Sequence, residues 1–364
     1  MGIIWFLLAV CVVSSHCGEI VHLPMMTGDV AVQLFYIISG FYMSIILNEK
    51  YNQKKKSYGL FITNRLLRLY PTYLIILLLT LGLYWLGSIK SGGQYHVNLD
   101  VYLQNKLSLS SMLTLIFTNL FILGQDIIMF LGLNIETGNL FFTSNFKNQS
   151  PELHTFLLVP QAWTLGLEIM FYTIAPFIVT KGLKKVVLFI FLSLLVRYIV
   201  AYGLGYQNDP WGYRFFPSEL LFFLLVYISY YILRKVKLPE INAIGNGIYI
   251  GLLIFTILFY TKIPDYYISY IPFGIKQITL TLIFTLTLPF LFLSTEKNKL
   301  DRTIGELSYP IYISHMFIFM LLGMYGYTSS VWILTITIVF SYLINLTVNN
   351  RIETYRQNRI KASI

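Results

Sequence analysis

The sequence predicts an all-α, polytopic transmembrane helical bundle of about ten spans, with one further re-entrant or interfacial segment. Of its 364 residues, 56% are hydrophobic and only 12% are charged, whereas a soluble domain carries about 25% charged residues. Apolar runs of about 20 residues, long enough to cross a bilayer, recur along the chain. These runs do not alternate between apolar and polar positions, which excludes a transmembrane β-barrel.

Eleven apolar segments are candidates for spans. They are 3–17, 29–48, 70–89, 111–133, 157–180, 184–203, 216–233, 243–261, 275–294, 304–324 and 329–347. The loops between them are too short to hold a soluble domain. We therefore assign residues 1–350 to one membrane domain and residues 351–364 to a basic cytoplasmic tail. No internal repeat is evident, which is unlike many transporters.

The first segment, 3–17, allows two interpretations. It is short and apolar, and the stretch Val13–Cys17 could be the end of a cleaved signal peptide. No Lys or Arg precedes the apolar run, as a signal peptide would require, so we interpret it as a first transmembrane helix. Cys11 and Cys17 form no CxxC motif and predict no disulfide framework.

Basic residues predict the orientation of the bundle. The loop 49–69 is rich in Lys and Arg and should be cytoplasmic, because basic residues gather on that side. If all eleven segments crossed the membrane, Lys181, Lys184 and Lys185 would fall outside, against this rule. The conflict disappears if segment 111–133 is re-entrant or interfacial.

The polar residues of segment 111–133 support this interpretation. Asn119, Gln125 and Asp126 suit a segment buried in protein rather than one facing lipid. With ten spans, 19 Lys and Arg residues lie inside and 6 outside. We therefore expect a multi-pass protein of the plasma (inner) membrane with both termini cytoplasmic. Its net charge of +10 then belongs to cytoplasmic loops and indicates no nucleic-acid partner.

Two polar residues in apolar segments could carry acid–base chemistry. His16 lies at the outer end of the first helix, where its imidazole could act as a general base or simply snorkel to the interface. Glu168 lies one to two turns into segment 157–180, where an ionisable group costs about 2.5 kcal/mol or more. Both residues are expected on the same side of the membrane, so the Glu168 carboxylate could accept a hydrogen bond from one ring nitrogen of His16. This bond would fix the tautomer and leave the other nitrogen as the base. Glu168 could instead form a structural hydrogen bond between helices.

Arg65 and Arg68 lie three residues apart on one helix face, just before Pro71. One interpretation is that these arginines do no more than anchor the helix on the cytoplasmic side. Guanidinium groups also bind phosphate through two hydrogen bonds, so the pair could clamp the phosphates of a donor such as coenzyme A.

Five further residues are candidates for substrate binding, and each has a plainer structural interpretation. Ser39 precedes Gly40 at an expected helix-packing point, and no GxSxG motif marks it as a nucleophile. Arg214 lies beside aromatic residues, as in a sugar-binding rim or an interfacial aromatic belt. Trp163 lies in the same segment as Glu168, and Tyr309 and His315 lie within the segment 304–324.

The sequence contains no HExxH motif and no cluster of Cys and His ligands. We therefore expect no metal site and no tightly bound cofactor.

Five ordered blocks carry a resemblance to a known family. They are 5–16, which ends in His16; 28–41, which ends in Ser-Gly-Phe; 61–71, with Arg65 and Arg68; 163–176, with Glu168; and the weaker block 308–315. In this order they resemble the acyltransferase 3 family of integral membrane O-acyltransferases, over nearly the whole chain.

The resemblance implies ten spans, an acyl-coenzyme A donor and a hydroxyl acceptor, often a cell-surface sugar. It also implies that His16 is the catalytic histidine, that Arg65 and Arg68 are the basic pair, and that Glu168 is the buried acid. Two positions depart from the family pattern. Trp5 stands where the family usually has an arginine, eleven positions before the histidine, and Asn64 stands where a first arginine is common in the third block.

Together these observations predict an integral membrane O-acyltransferase. It would transfer an acetyl or other short acyl group from acyl-coenzyme A to a sugar hydroxyl of a cell-surface glycan or its lipid-linked precursor, within the lipid bilayer. Two alternatives stay open: a transporter or flippase of a lipid-linked sugar, and a catalytically divergent membrane scaffold, which Trp5 favours. The expected arrangement, with His16 and Glu168 on one side of the membrane and the basic residues on the other, favours the enzyme, because a flippase would not need it.

Overall fold

The computed structural model describes residues 1–51, 57–90, 99–236 and 243–362. Lys54, Lys55 and Lys56, on which part of the predicted orientation rests, lie outside the described residues. The α-helices are α1 (Gly2–Cys17), α2 (Gly28–Ile46), α3 (Ser57–Lys90), α4 (Leu99–Gln104), α5 (Leu109–Phe121), α6 (Trp163–Ile178), α7 (Leu183–Tyr198), α8 (Phe216–Leu225), α9 (Tyr227–Lys235), α10 (Ala243–Leu258), α11 (Ile275–Thr295), α12 (Lys299–Glu306), α13 (Ser308–Gly323), α14 (Ser330–Ile344) and α15 (Asn350–Lys361). Two short strands, β1 (Leu131–Leu133) and β2 (Leu140–Phe142), form an antiparallel hairpin.

The predicted fold class is confirmed. Among the described residues, eight helical segments are long and apolar enough to cross a membrane: 28–51, 58–87, 160–181, 183–203, 216–235, 275–295, 299–323 and 330–361. Three shorter apolar helices accompany them, namely Gly2–Cys17, Leu109–Phe121 and Ile244–Leu258. The predicted count of ten spans requires that Gly2–Cys17 and Ile244–Leu258 also cross the membrane, and this count stays a prediction.

The segment 111–133 does not form a continuous span. Helix α5 ends at Phe121, and the chain then turns at Ile122, whose φ is +64°. It continues through a short 3₁₀ turn into the β1–β2 hairpin, whose Gly138 carbonyl accepts a hydrogen bond from the Ser108 amide, just before α5. The chain after α5 therefore returns to the point where α5 begins, and a re-entrant or interfacial position of this segment stays a prediction.

Several helix bounds differ from the predicted segments. Helix α3 already begins at Ser57, so much of the predicted loop 49–69 is helical. Helix α6 begins only at Trp163, after a short 3₁₀ turn. The predicted tail 351–364 is not a separate extension, because one helical segment runs from Ser330 to Lys361 through a π-helical turn, Asn345–Asn349.

Two glycines allow helices to touch through their backbones. A Cβ on Gly2 would lie 1.7 Å from the Asp301 carbonyl oxygen, and one on Gly40 would lie 2.0 Å from the Phe223 carbonyl oxygen. The expected helix-packing point at Gly40 is therefore confirmed, with α8 as its partner. The Asp301 carboxylate accepts hydrogen bonds from the amides of Gly2 (2.7 Å) and Ile3 (3.0 Å), which satisfies the otherwise free start of α1.

A buried ion pair joins α7 to α8. Arg197 Nη1 lies 2.9 Å from Glu219 Oε1, and Glu219 is completely buried. Gln33 of α2 donates to Glu219 Oε2 at 3.1 Å, and Gln277 of α11 donates to Gln33. Every member of this network has a hydrogen-bond partner, which offsets the free-energy cost of burying charged and polar groups. The network therefore fixes α2, α7, α8 and α11 relative to one another.

The two ends of the bundle have different chemistry. We call the end that holds Met1, Lys50, Arg65 and Asp301 the arginine end; these residues line one cavity. We call the opposite end, with His16 at the end of α1, the histidine end.

Candidate active site

The main cavity has a volume of about 790 Å³ and is lined by residues of α1, α2, α3, α6, α13 and α15. This volume is in the range of small-molecule sites. Five residues that the sequence singled out line this cavity: Ser39, Arg65, Arg68, Glu168 and Tyr309. Tyr309 also donates a hydrogen bond to the Leu69 carbonyl oxygen at 2.5 Å, which ties α13 to α3.

The two arginines of α3 face the cavity in different ways. Arg65 is only 3% exposed, and its Nε and Nη1 atoms have no hydrogen-bond partner among the described residues. Such buried, unpaired donors are costly to a protein unless a ligand satisfies them. Arg68 is half-buried, and its guanidinium carbon lies 5.8 Å from the centre of the Trp5 ring.

Trp5 forms part of the cavity wall. Its ring packs against Tyr42 with a centroid distance of 5.2 Å, and its Nε1 atom has no partner among the described residues. A cation over an indole ring is an attractive arrangement. Trp5 therefore contributes an aromatic surface beside Arg68, where an arginine would add a further positive charge.

Glu168 does not pair with His16, contrary to the sequence-based expectation. Its Oε1 atom accepts hydrogen bonds from the hydroxyl groups of Ser39, on α2, and Tyr172, one turn further along α6. Glu168 lines the main cavity together with Arg65 and Arg68, whereas His16 does not. The carboxylate therefore belongs to the arginine side of the site.

His16 pairs with His315 instead. His315 Nδ1 lies 2.7 Å from the Tyr312 carbonyl oxygen, and its Nε2 lies 3.1 Å from His16 Nδ1. A carbonyl oxygen only accepts, so His315 carries its proton on Nδ1 and accepts at Nε2. His16 Nδ1 also lies 3.1 Å from the Val12 carbonyl oxygen, so it carries the proton and faces two acceptors, and the lone pair of the ring is on Nε2. This arrangement gives His16 the tautomer that a general base needs.

The inner end of the main cavity lies close to this histidine pair. Thr164 and Tyr312 line it, and their hydroxyl oxygens are 2.7 Å apart. The Tyr312 ring centre is 6.2 Å from that of His315. Tyr312 therefore borders both the cavity and His315, and His16 lies on the far side of His315.

A second, smaller pocket of about 350 Å³ is lined mainly by charged residues, namely Lys147, Glu152, His154, Asp209 and Arg214, with Met129 and Phe146. Arg214 forms an ion pair with Asp209 at 2.7 Å and lies over the Trp163 ring at 4.3 Å. The structure therefore brings together Trp163 and Arg214, two predicted substrate-binding residues. Burial lowers the pKa of His154, although the nearby Glu152 carboxylate opposes this effect.

Sequence reasoning missed Thr164, Tyr172, Tyr312 and Arg356 as members of the site. Tyr312 lies one turn before His315 in the same block, and Tyr172 lies one turn after Glu168, so helical spacing could have identified both. Arg356 gave no such signal, because only the tertiary fold brings it to the cavity. Within the described residues, no three His, Cys, Asp or Glu side chains are grouped in a way that could hold a metal ion.

The model of the acyltransferase 3 family, described as an acyltransferase domain, matches residues 6–348 of this chain. The chain belongs to this family. It is therefore a member of a family of membrane acyltransferases. It is also similar to an uncharacterized protein of Aquifex aeolicus (strain VF5), with 28% identity over 209 residues, which are 55% of this chain and 90% of that protein. No solved structure matches the acyltransferase.

Proposed function

We propose that this acyltransferase transfers an acetyl or other short acyl group from acyl-coenzyme A to a sugar hydroxyl of a cell-surface glycan or its lipid-linked precursor. One observation carries the proposal: a single cavity extends from arginine donors that have no partner among the described residues to Tyr312, which borders His315, the partner of His16.

The donor enters from the arginine end, which we assign to the cytoplasm. The phosphates of acyl-coenzyme A contact Arg65, whose free donors suit phosphate oxygens, and Arg68 beside it. The pantetheine arm follows the cavity past Ser39 and Tyr309, and the thioester reaches the inner end near Tyr312.

The acceptor binds at the histidine end. Arg214 over Trp163, beside the acidic Asp209, offers the mixture of an aromatic face and polar groups that a sugar uses. An acceptor bound in this small pocket would lie on the side of the bundle where His16 is exposed.

The reaction needs one base at the junction of the two sites. His16 Nε2 takes the proton of the acceptor hydroxyl while the hydroxyl oxygen attacks the thioester carbonyl carbon. The carbon–sulfur bond then breaks, and the departing thiolate takes the proton from the His16 imidazolium. An ester and free coenzyme A result, and His16 returns to its starting state with His315 still bonded to Nδ1.

The test is acyl transfer in membranes that contain the protein, with isotope-labelled acetyl-coenzyme A and mass spectrometry of surface glycans. We expect a mass increase of one acyl group, which His16→Ala abolishes. The matched control is His22→Ala, because His22 lies on the same side of the bundle and is almost fully exposed. Glycans of unchanged mass with the wild-type protein would contradict the proposal and leave a flippase or scaffold.

A further inference from the structure

The C-terminal helix α15 closes one side of the main cavity at the arginine end. Glu353, Arg356, Gln357 and Ile360 on this helix line the cavity, although the sequence assigned this region to a separate tail. One face of α15 therefore belongs to the site, and the opposite face, which includes Arg351, is exposed.

Specific contacts hold α15 in this position. Arg359 donates to Asn64 Oδ1 at 2.8 Å and to Thr63 Oγ1 at 2.9 Å, both on α3. Asn64 is completely buried and donates in turn to the Tyr51 hydroxyl at 3.0 Å. The helix thus docks on the turn of α3 that carries the first arginine of the site.

Arg356 lines the same cavity as Arg65 and Arg68. It is 7% exposed, and the positive charges of the two α3 arginines act on it. Its Nη1 atom is 2.5 Å from Glu353 Oε2, but its Nε atom has no partner among the described residues. Three guanidinium groups therefore surround one cavity, and two of them, Arg65 and Arg356, hold buried donors without acceptors.

The carboxylates nearby leave this cluster unsatisfied. Glu353 pairs with Arg356, and Glu168 accepts from Ser39 and Tyr172. Asp301 is used by the start of α1, and Glu306 contributes a further negative charge near Arg68. Arg65 has no ion-pair partner among the described residues, so a multiply charged anion is the group that would complete its hydrogen bonds.

We propose that α15 is part of the donor site and that Arg356 is a third phosphate-binding residue, acting with Arg65 and Arg68 on the phosphate groups of a coenzyme A-type ligand. This inference rests on the proposed function and extends it. The acyl end of the donor points toward Tyr312, so its phosphates remain near the cavity mouth, where α15 contributes side chains.

The experiment measures equilibrium binding to the full-length protein in lipid nanodiscs, with coenzyme A, pantetheine and adenosine 3′,5′-bisphosphate as probes. Arg356→Gln should weaken coenzyme A binding by about 10- to 100-fold, because a charge-assisted contact to phosphate is lost. Arg356→Lys should lose less, and binding of pantetheine, which has no phosphate, should not change. Arg351→Gln, with the same charge change on the exposed face of α15, should bind as the wild type does.

Glu353→Gln separates a binding role from a folding role. Removing this carboxylate frees Arg356 Nη1 and makes the site more positive, so coenzyme A should bind more tightly. A variant that merely unfolds cannot gain affinity. Unfolding temperatures of all variants accompany the titrations.

The outcomes distinguish this inference from the proposed function. Unchanged coenzyme A affinity in Arg356→Gln would overturn the role of α15 and leave the acyl-coenzyme A donor in place. Binding of the bisphosphate but not of coenzyme A, with loss in Arg356→Gln, would support the three-arginine site and overturn the proposed donor. Wild-type protein that binds neither phosphate ligand would overturn the inference.

Discussion

His315 holds His16 through a hydrogen bond between His315 Nε2 and His16 Nδ1, 3.1 Å long. The two rings are stacked, with centroids 5.1 Å apart. His315 is completely buried and His16 is exposed, so one histidine is fixed by the core and the other faces outward from it. His315 Nε2 and the Val12 carbonyl oxygen are both acceptors for the proton on His16 Nδ1, and His315 in addition holds the orientation of the His16 ring.

His315→Leu should therefore lower kcat, by up to about 100-fold, the lower end of the range of general base catalysis, with little change in KM for the donor. His315→Gln should recover part of the activity, because its side-chain carbonyl can still accept the proton of His16 Nδ1. The measurement is steady-state kinetics and the pH profile of kcat for both variants. A role in packing alone would instead make both variants lose thermal stability while their residual kcat kept the wild-type pH profile.

Arg68→Ala should weaken donor use more than acceptor use, because we assign its guanidinium to phosphates. Loss of one charge-assisted contact reduces donor affinity by about 10- to 100-fold, and Arg68→Lys should recover only part of it. Donor titration at saturating acceptor measures the effect. An unchanged donor affinity with impaired membrane insertion would show that Arg68 is only a topological anchor.

The sequence predicted the helical membrane fold and that segment 111–133 is not an ordinary span, and it singled out five residues that line the main cavity, since each depends on local composition or on a family block. It did not predict the partner of Glu168. Counting residues from a membrane boundary gives the depth of a side chain but not the direction in which it points around the helix. Glu168 faces Ser39 and Tyr172. Arg356 reaches the cavity of Arg65 only because α15 packs against α3, and no local pattern encodes this packing between distant parts of the chain.

Gly40→Ala should destabilise the protein, because the added methyl group would lie 2.0 Å from the Phe223 carbonyl oxygen and force α2 away from α8. Overpacking of this kind costs about 1–3 kcal/mol or more. Gly251→Ala is the control, because Gly251 lies in a helix and a methyl group added there would have no neighbouring atom within 4 Å. Thermal unfolding in detergent should show a lower Tm for the first variant and an unchanged or higher Tm for the second. Equal Tm values would contradict the close contact.

Asp126→Asn should stabilise the protein, and more so at high pH. Burial raises the pKa of Asp126 to about 6, and its Oδ1 atom has no partner among the described residues. The folded protein therefore bears the cost of a buried charge above this pKa and is relieved of it as pH falls from about 6 toward the unfolded value of 3.8. The gain in Tm should be larger at pH 8 than at pH 5. Glu136→Gln, at an exposed carboxylate, should show no gain at either pH, and a gain independent of pH in Asp126→Asn would contradict the expectation.

The uninterrupted helix from Ser330 to Lys361 determines which parts of the two substrates must meet lipid. Its 32 residues extend about 48 Å at 1.5 Å per residue, whereas the hydrocarbon layer is about 30 Å thick. In the proposed topology, with Ser330 at the histidine end, roughly a third of the helical segment, including the turn that carries Arg356, would project beyond the hydrocarbon. Under the proposed function, a highly charged nucleotide bound there would stay in water, and a hydrophilic sugar on the far side would do the same. The small, uncharged acyl fragment would then be the only chemical group to cross the barrier, and the transfer would be vectorial without the transport of either whole substrate.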